Sequence, residues 1–425
     1  MLAYSEMSKD ELKKELEGLK KDYEEICKKN ISLDMSRGKP GKEQLDLSMD
    51  MLDVLTSESD VHASNGIDCR NYGVLGGIPE AKKMMADIMG TTEDHVIIYG
   101  NASLNIMYDS ISRAYSHGVL GCTPWCKLDK VKWLCPVPGY DRHFAITEYF
   151  GIEMINIPMN ADGPDMDMIE KLVAEDDSIK GIWCVPKYSN PTGISYSDEV
   201  VKRMAALKPA AKDFRIIYDN AYCVHDLNEH GDTLLNIFNE LPKYQHEDMV
   251  IMVASTSKIS FAGAGVSCIV ASENNIVDIK KRLTIQSISQ DKMNQLRHLN
   301  FFKDVAGLKA HMKKQAVLLK PKFDCVIEHL NNELGGKGIA SWIEPNGGYF
   351  ISLDVMPGCA KRIGELCKDA GVVLTTIGAT YPYGIDPQDT NIRIAPSYPS
   401  VDELSKAAEL LCICVQLACL EKLLK

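Results

Sequence analysis

No C-x-x-C pair occurs in this sequence, although cysteine is abundant at 14 residues. The nearest approaches, Cys122/Cys126 and Cys412/Cys414, have no histidine pair at zinc-finger spacing beside them. Scattered thiols of this kind read as small buried hydrophobes in a reducing compartment, with no metal site and no disulfide frame. Long apolar runs are missing too: none reaches the roughly eighteen residues a bilayer span needs, so no membrane partner is expected. The opening MLAYSEMSKDELKKELEGLKK has no apolar core of signal-peptide type, and a cytoplasmic protein is the expectation. Positive charge is in deficit, with a formal net charge of −12, which argues against a nucleic-acid partner. There is no internal repeat and no low-complexity tract.

What is present is an ordinary globular composition, 45% hydrophobic and 25% charged over 425 residues, a length that suggests two domains. Ser8 and Glu11 have capping-box spacing. Leu12, Leu16, Leu19, Tyr23 and Ile26 then form a short apolar stripe, which predicts a helix docked on the body of the protein. Ser36-Arg37-Gly38-Lys39-Pro40-Gly41 carries too much glycine and proline for regular structure.

From about Asp50, short apolar runs alternate with amphipathic stretches. The runs are Val96–Tyr99, Trp133–Cys135, Met154–Ile157, Gly181–Val185, Ile216–Tyr218, Val250–Ala254 and Cys268–Ala271. They are nearly continuous in hydrophobics, as strands buried on both faces should be. Helical stretches such as Asp165–Ala174 and Asp198–Ala206 separate most of them. The expected fold class is α/β: a large, mostly parallel (mixed) seven-stranded sheet with helices on both faces, plus a smaller α+β domain. After Asn274, long helices run through Lys320 to Leu334. A strand at Tyr349–Leu353, a helix at Arg362–Ala370, short strands near Val372 and Ile392–Ile394, and a helix from Asp402 complete the pattern. The expected division is an N-terminal helix and arm over residues 1–49, a large domain over 50–305 and a small domain over 306–425, the arm joining the small domain.

In an open α/β sheet, functional groups collect at the carboxyl ends of the strands. Four such ends carry unusual polar residues. Ile216–Tyr218 runs into Asp219-Asn220-Ala221-Tyr222, and Val250–Ala254 into Ser255-Thr256-Ser257-Lys258. Gly181–Val185 leads to Asn190-Pro191-Thr192-Gly193, and Trp133–Cys135 to Pro138-Gly139-Tyr140. Singly, each has an ordinary structural explanation: a turn, a helix cap, a surface lysine, a packed aromatic. Combination, order and spacing are what matter.

With these, and with Asn-Tyr-Gly-Val-Leu-Gly-Gly at 71–77 and Asn-Ile-Arg-Ile-Ala-Pro-Ser-Tyr at 391–398, the chain resembles the class I/II aminotransferases of fold type I. These enzymes use pyridoxal 5′-phosphate (PLP). The Ser-Arg-Gly-Lys-Pro, Gly-Asn-Ala-Ser-Leu-Asn and Phe-Ala-Gly-Ala-Gly stretches look like the MocR-like branch, which contains bacterial aspartate aminotransferases. The resemblance implies that Lys258 carries PLP as a Schiff base and moves the proton during transfer. It implies that Asp219 pairs with the pyridinium nitrogen, that Tyr222 and Asn190 bond the phenolic oxygen, and that Tyr140 stacks on the ring. The phosphate is expected at Ala102, Ser103 and Leu104, where a helix begins, with hydroxyls from Ser255 and Ser257. Tyr72 resembles a tyrosine that reaches the phosphate of the partner subunit, which implies a homodimer with shared active sites. Arg393 and Gly38 are expected to bind the substrate's α-carboxylate, close to Asn190.

The match fails at one place: relatives carry a phosphate-binding arginine eight residues after the lysine, where this chain has Val266. For an acidic side chain, Arg37, Lys39, Arg142 and Arg297 are unranked candidate partners. The implied reaction passes an amino group from an L-amino acid, aspartate by the branch, to a 2-oxo acid such as 2-oxoglutarate. A β-lyase or decarboxylase on the same fold is an alternative. So is a MocR-type effector-sensing regulator, although only about 30 residues precede the Ser-Arg-Gly motif. A non-catalytic descendant is disfavoured by the intact set of Lys258, Asp219, Asn190, Tyr222 and Arg393.

Overall fold

A computed structural model describes residues 3–28 and 32–425. Its first helix, Lys9–Cys27, starts at the expected capping box: Ser8 N donates to Glu11 Oε2 at 2.7 Å, and Ser8 Oγ accepts from Glu11 N at 3.4 Å. Leu12, Leu19 and Ile26 are buried, and the stripe packs against the C-terminal helix Val401–Leu423.

Along the chain follow β1 (Leu33–Asp34), β2 (Val96–Ile98), β3 (Lys132–Val137), β4 (Glu153–Asn160), β5 (Gly163–Pro164), β6 (Ile179–Cys184), β7 (Arg215–Asp219), β8 (Val250–Ser255) and β9 (Ser267–Ala271). Eight of them form one sheet in the order β2-β9-β8-β7-β6-β3-β4-β5. The run from β8 through β7, β6 and β3 to β4 is parallel, whereas β9 is antiparallel to β8 and β2. All seven expected strands are present. The expected count of seven is one short, because Gly163 and Pro164 add an antiparallel edge strand beside Met159 and Asn160. Two residues without apolar character give no periodic signal.

Alternation along the buried strands feeds two cores. Ile216 and Tyr218 join one, while Ile217 and Trp183 join the other on the opposite face. A separate core unites the first helix with β11 (Ile351–Val355), β13 (Asn391–Ile394) and the C-terminal helix. There β10 (Ala340–Trp342), β11 and β13 form an antiparallel sheet, and β1 pairs in parallel with β12 (Val372–Val373). The long helix Val305–Leu334 serves both regions. Leu308 and Met312 pack with Met51, Ile259 and Phe302, whereas Leu319 onward belongs to the terminal core. Among the described residues, no helix is long and apolar enough to cross a membrane.

Candidate active site

Parallel strands point their carboxyl ends the same way, so the loops after β3, β6, β7 and β8 meet at one edge of the sheet. There Lys258, Tyr222, Asn190, Tyr140, Gly38 and Arg393 line a single cleft of ≈ 420 Å³. Six residues singled out in the sequence are thus brought together from distant parts of the chain.

Asp219 lies beneath the cleft, 3% exposed. Its Oδ2 is 3.2 Å from His143 Nε2, while its buried Oδ1 has no hydrogen-bond partner. His143 is itself fixed, stacked on Trp183 with ring centroids 4.6 Å apart and edge-on to Tyr140 at 4.9 Å. A buried carboxylate oxygen without a donor is costly and calls for one.

Lys258 Nζ sits 4.7 Å from the centre of the Tyr222 ring and 5.8 Å from that of Tyr349. Burial, reinforced by the charge of Asp219, holds the Tyr222 phenol well above its ordinary pKa. Burial also pushes Tyr140 up to about 12. The turn bearing Lys258 is braced from behind. Thr256 N donates to Val266 O at 2.8 Å, Val266 N donates to Thr256 Oγ1 at 2.9 Å, and Ser260 Oγ lies 2.8 Å from His298 Nε2. Val266 is buried in this brace.

Arg393, on β13, is 7% exposed. Its Nη1 donates to Asp141 Oδ1 at 2.8 Å and to Asn190 Oδ1 at 3.3 Å, and its Nε donates to Thr375 Oγ1 at 3.3 Å. Phe350 covers the guanidinium, with the ring centre 5.0 Å from Cζ. Gly38 approaches the same ring so closely that a Cβ there would lie 2.3 Å from Phe350 Cζ.

A second cluster gathers beside the cleft. Ala102 caps the helix Ser103–His117 without a side-chain bond. Ser257 Oγ donates to Asn101 O at 3.4 Å and Ser255 Oγ to Ser257 Oγ at 3.0 Å. Gly265 comes so near that a Cβ there would be 2.9 Å from Asn101 O. The first amides of the helix, at Ser103 and Leu104, therefore lie near two hydroxyls and a glycine turn. Asn294 Nδ2 holds that turn by donating to Gly265 O at 2.8 Å, and Arg297 Nη2 donates to Asn294 Oδ1. Tyr72 stands apart, 78% exposed. Its loop is anchored by Lys292 Nζ, which donates to Asn71 O at 2.6 Å and Gly73 O at 3.0 Å.

Of the four candidate partners for an acidic side chain, Arg37 and Arg142 line the cleft. Lys39 lies over the Tyr398 ring at 3.9 Å, and Arg297 is engaged with Asn294. Sequence reasoning missed His143, Asp141 and Thr375. One signal was available for His143, three residues past Tyr140 in the first turn of the helix Asp141–Tyr149.

The fold and this constellation define a class: an aminotransferase of the PLP-dependent fold type I. Residues 7–425 match the family model described as aspartate amino-transferase, and the chain belongs to that family. A curated aspartate aminotransferase of Corynebacterium glutamicum is 45% identical over 406 residues, covering 95% of this chain and 94% of that protein. The crystal structure of an aspartate transaminase from C. glutamicum superposes with a TM-score of 0.96 at 44% identity, covering 99% of each chain. At 17% identity, an α-aminoadipate aminotransferase from Thermus thermophilus, complexed with N-(5′-phosphopyridoxyl)-L-leucine, shares the fold with a TM-score of 0.74 over 92% of this chain and 93% of its own.

Proposed function

We propose that this aminotransferase moves the amino group of L-aspartate to 2-oxoglutarate, with PLP held at Lys258 in a cytoplasmic homodimer whose subunits share their active sites. The observation that carries the reading is the meeting of Lys258, the unpartnered Asp219 Oδ1 and Arg393 around one cleft. The residues fit the cofactor. A protonated ring nitrogen is the donor that Asp219 Oδ1 lacks, and the helix start at Ser103 with Ser255 and Ser257 suits a phosphate. When bound, PLP supplies a sink for the electron pair left on the substrate's Cα.

The chain's own groups do the rest. Lys258 Nζ would hold the cofactor covalently and, once free as an amine, would move the proton at the substrate's Cα. Asp219 would keep a proton on the ring nitrogen by charge pairing, and His143 Nε2, 3.2 Å from Asp219 Oδ2, steadies that carboxylate. Tyr222 and Asn190, which line the cleft, would donate to the phenolic oxygen, and Tyr140 would pack on the ring. Ala102, Ser103 and Leu104 would offer amides to the phosphate, and Tyr72 of each subunit would reach the phosphate of the other. Arg393 takes the α-carboxylate, with Gly38 N–H beside it. Arg37 and Arg142, the arginines of the cleft outside Arg393, receive the side-chain carboxylate. The C. glutamicum relative, described as an aspartate aminotransferase, supports that choice of donor.

The test mixes the PLP-loaded enzyme with L-aspartate and 2-oxoglutarate and follows glutamate. Glutamate is the expected product, and a donor screen should rank aspartate first. Consumption of aspartate without glutamate would instead mean lyase or decarboxylase chemistry. Lys258→Ala should lose both activity and the visible absorption of lysine-linked cofactor; retention of either overturns the assignment of Lys258.

A further inference from the structure

We infer that Asp141 sets the enzyme's affinity for its substrates by competing with their α-carboxylate for Arg393. The inference rests on the proposed role of Arg393 as carboxylate receptor.

A planar carboxylate is gripped by a guanidinium through two adjacent N–H groups. Arg393 therefore offers either its Nη1/Nη2 edge or its Nε/Nη2 edge, and both already carry partners. Nε donates to Thr375 Oγ1 at 3.3 Å, and Nη1 donates to Asn190 Oδ1 at 3.3 Å and Asp141 Oδ1 at 2.8 Å. Thr375 and Asn190 are fixed: they are 8% and 5% exposed, and the Thr375 hydroxyl donates to Ser36 O at 2.8 Å. Asp141 differs in two ways. Its side chain is 33% exposed, so it has room to swing. It also carries the charge of the incoming ligand and makes the shortest of the three contacts.

A substrate carboxylate arriving on Nη1 therefore exchanges with Asp141 Oδ1, one ion pair for another. The exchange spares a nearly buried guanidinium from standing without a counter-charge at any stage, which would be expensive. The displaced carboxylate, on a side chain already 33% exposed, turns outward to water. Binding then gains only the difference between two ion pairs. Substrate and product are both held loosely, as suits an enzyme that must release a carboxylate in each half of its cycle.

Isothermal titration of the PLP-loaded enzyme with succinate, an unreactive dicarboxylate, tests this. Asp141→Asn removes the competing charge at nearly constant shape and should tighten succinate by about tenfold, the scale of one charged hydrogen bond. Asp141→Ala should tighten it as well. The KM for the amino donor should fall in parallel while kcat does not rise. Unchanged or weaker succinate binding in both variants overturns the inference. The control is Arg393→Ala, which should lose succinate binding and abolish the effect of Asp141→Asn when the two are combined. If Arg393→Ala binds succinate normally, the carboxylate-receptor reading is what fails. If it loses succinate while the Asp141 variants match wild type, the competition alone is refuted.

Discussion

A missing Cβ at Gly38 is what lets the N-terminal arm lie against the Phe350 ring that covers Arg393. Added there, it would lie 2.3 Å from Phe350 Cζ, and the Phe350 ring covers the guanidinium at 5.0 Å. Gly38→Ala should push that ring aside, costing about 1–3 kcal/mol by overpacking. Its KM for the amino donor should rise more than its kcat falls. Denaturant melts and steady-state kinetics check both, and an unchanged KM would show that Phe350 does not steady the arginine. Asp219 makes a second residue-scale case. Asp219→Ala removes a buried charge aimed at the proposed ring nitrogen and should lower kcat by on the order of 10²–10³. It should also let the cofactor leave on dialysis, which absorbance reports. Asp219 and Lys258 were legible because they follow apolar runs, whereas Tyr72, Gly38 and Arg393 rested on the family resemblance alone. The pairings were not legible. His143 meets Asp219 across 76 positions and Asp141 meets Arg393 across 252, and no local spacing encodes contacts that only the folded sheet creates.

At the scale of elements, the helix Lys292–Phe302 steadies the lysine-bearing turn through a neutral histidine. His298 Nδ1 lies 2.8 Å from Asn294 O, and Nε2 is 2.8 Å from Ser260 Oγ and 3.2 Å from Thr256 Oγ1. Burial disfavours the charged imidazole and lowers its pKa from 6.5 to about 4. His225, buried beside Tyr222, is lowered in the same way to about 3. Between the folded values and 6.5, the unfolded chain binds more protons, so the stabilisation is complete above about pH 6.5 and is lost as pH falls through that window. Thermal melts from pH 7 to 4 should show a falling midpoint, and His298→Asn should flatten the slope, each pKa unit being worth about 1.4 kcal/mol. An equal slope in the variant would assign the acid sensitivity to other groups. The seven main strands were legible from their unbroken hydrophobic runs, whereas β1 and β5, of two residues each, are too short to show a period. The strand expected from Tyr349 begins only at Ile351, because Gly348 N is drawn to His225 O at 2.9 Å in a contact with the other core region.

For the molecule as a whole, exposed apolar side chains on adjoining elements support the proposed dimer. Val277 and Ile285, on the helix Glu273–Gln286, are 62% and 89% exposed, and Ile288 just beyond is 62% exposed. Lys280 of that helix approaches Gly76, in the same glycine-rich segment as Tyr72. Exposed apolar side chains suit the proposed interface, and a two-fold axis would present them twice. Tyr72 is 78% exposed while Lys292 fixes its loop, which suits the proposed role in a partner's site. Mixing two impaired variants tests the sharing. Lys258→Ala and Tyr72→Ala subunits, unfolded and refolded together, form mixed dimers as well as parental ones. If Tyr72 acts across the interface, each mixed dimer has one site with an intact lysine from one chain and an intact tyrosine from the other. Activity should then rise above both parents, toward about a quarter of wild type for random pairing of two-fold dimers. If Tyr72 serves its own subunit, the intact lysine always accompanies the missing tyrosine, and refolding together recovers nothing beyond the average of the parents.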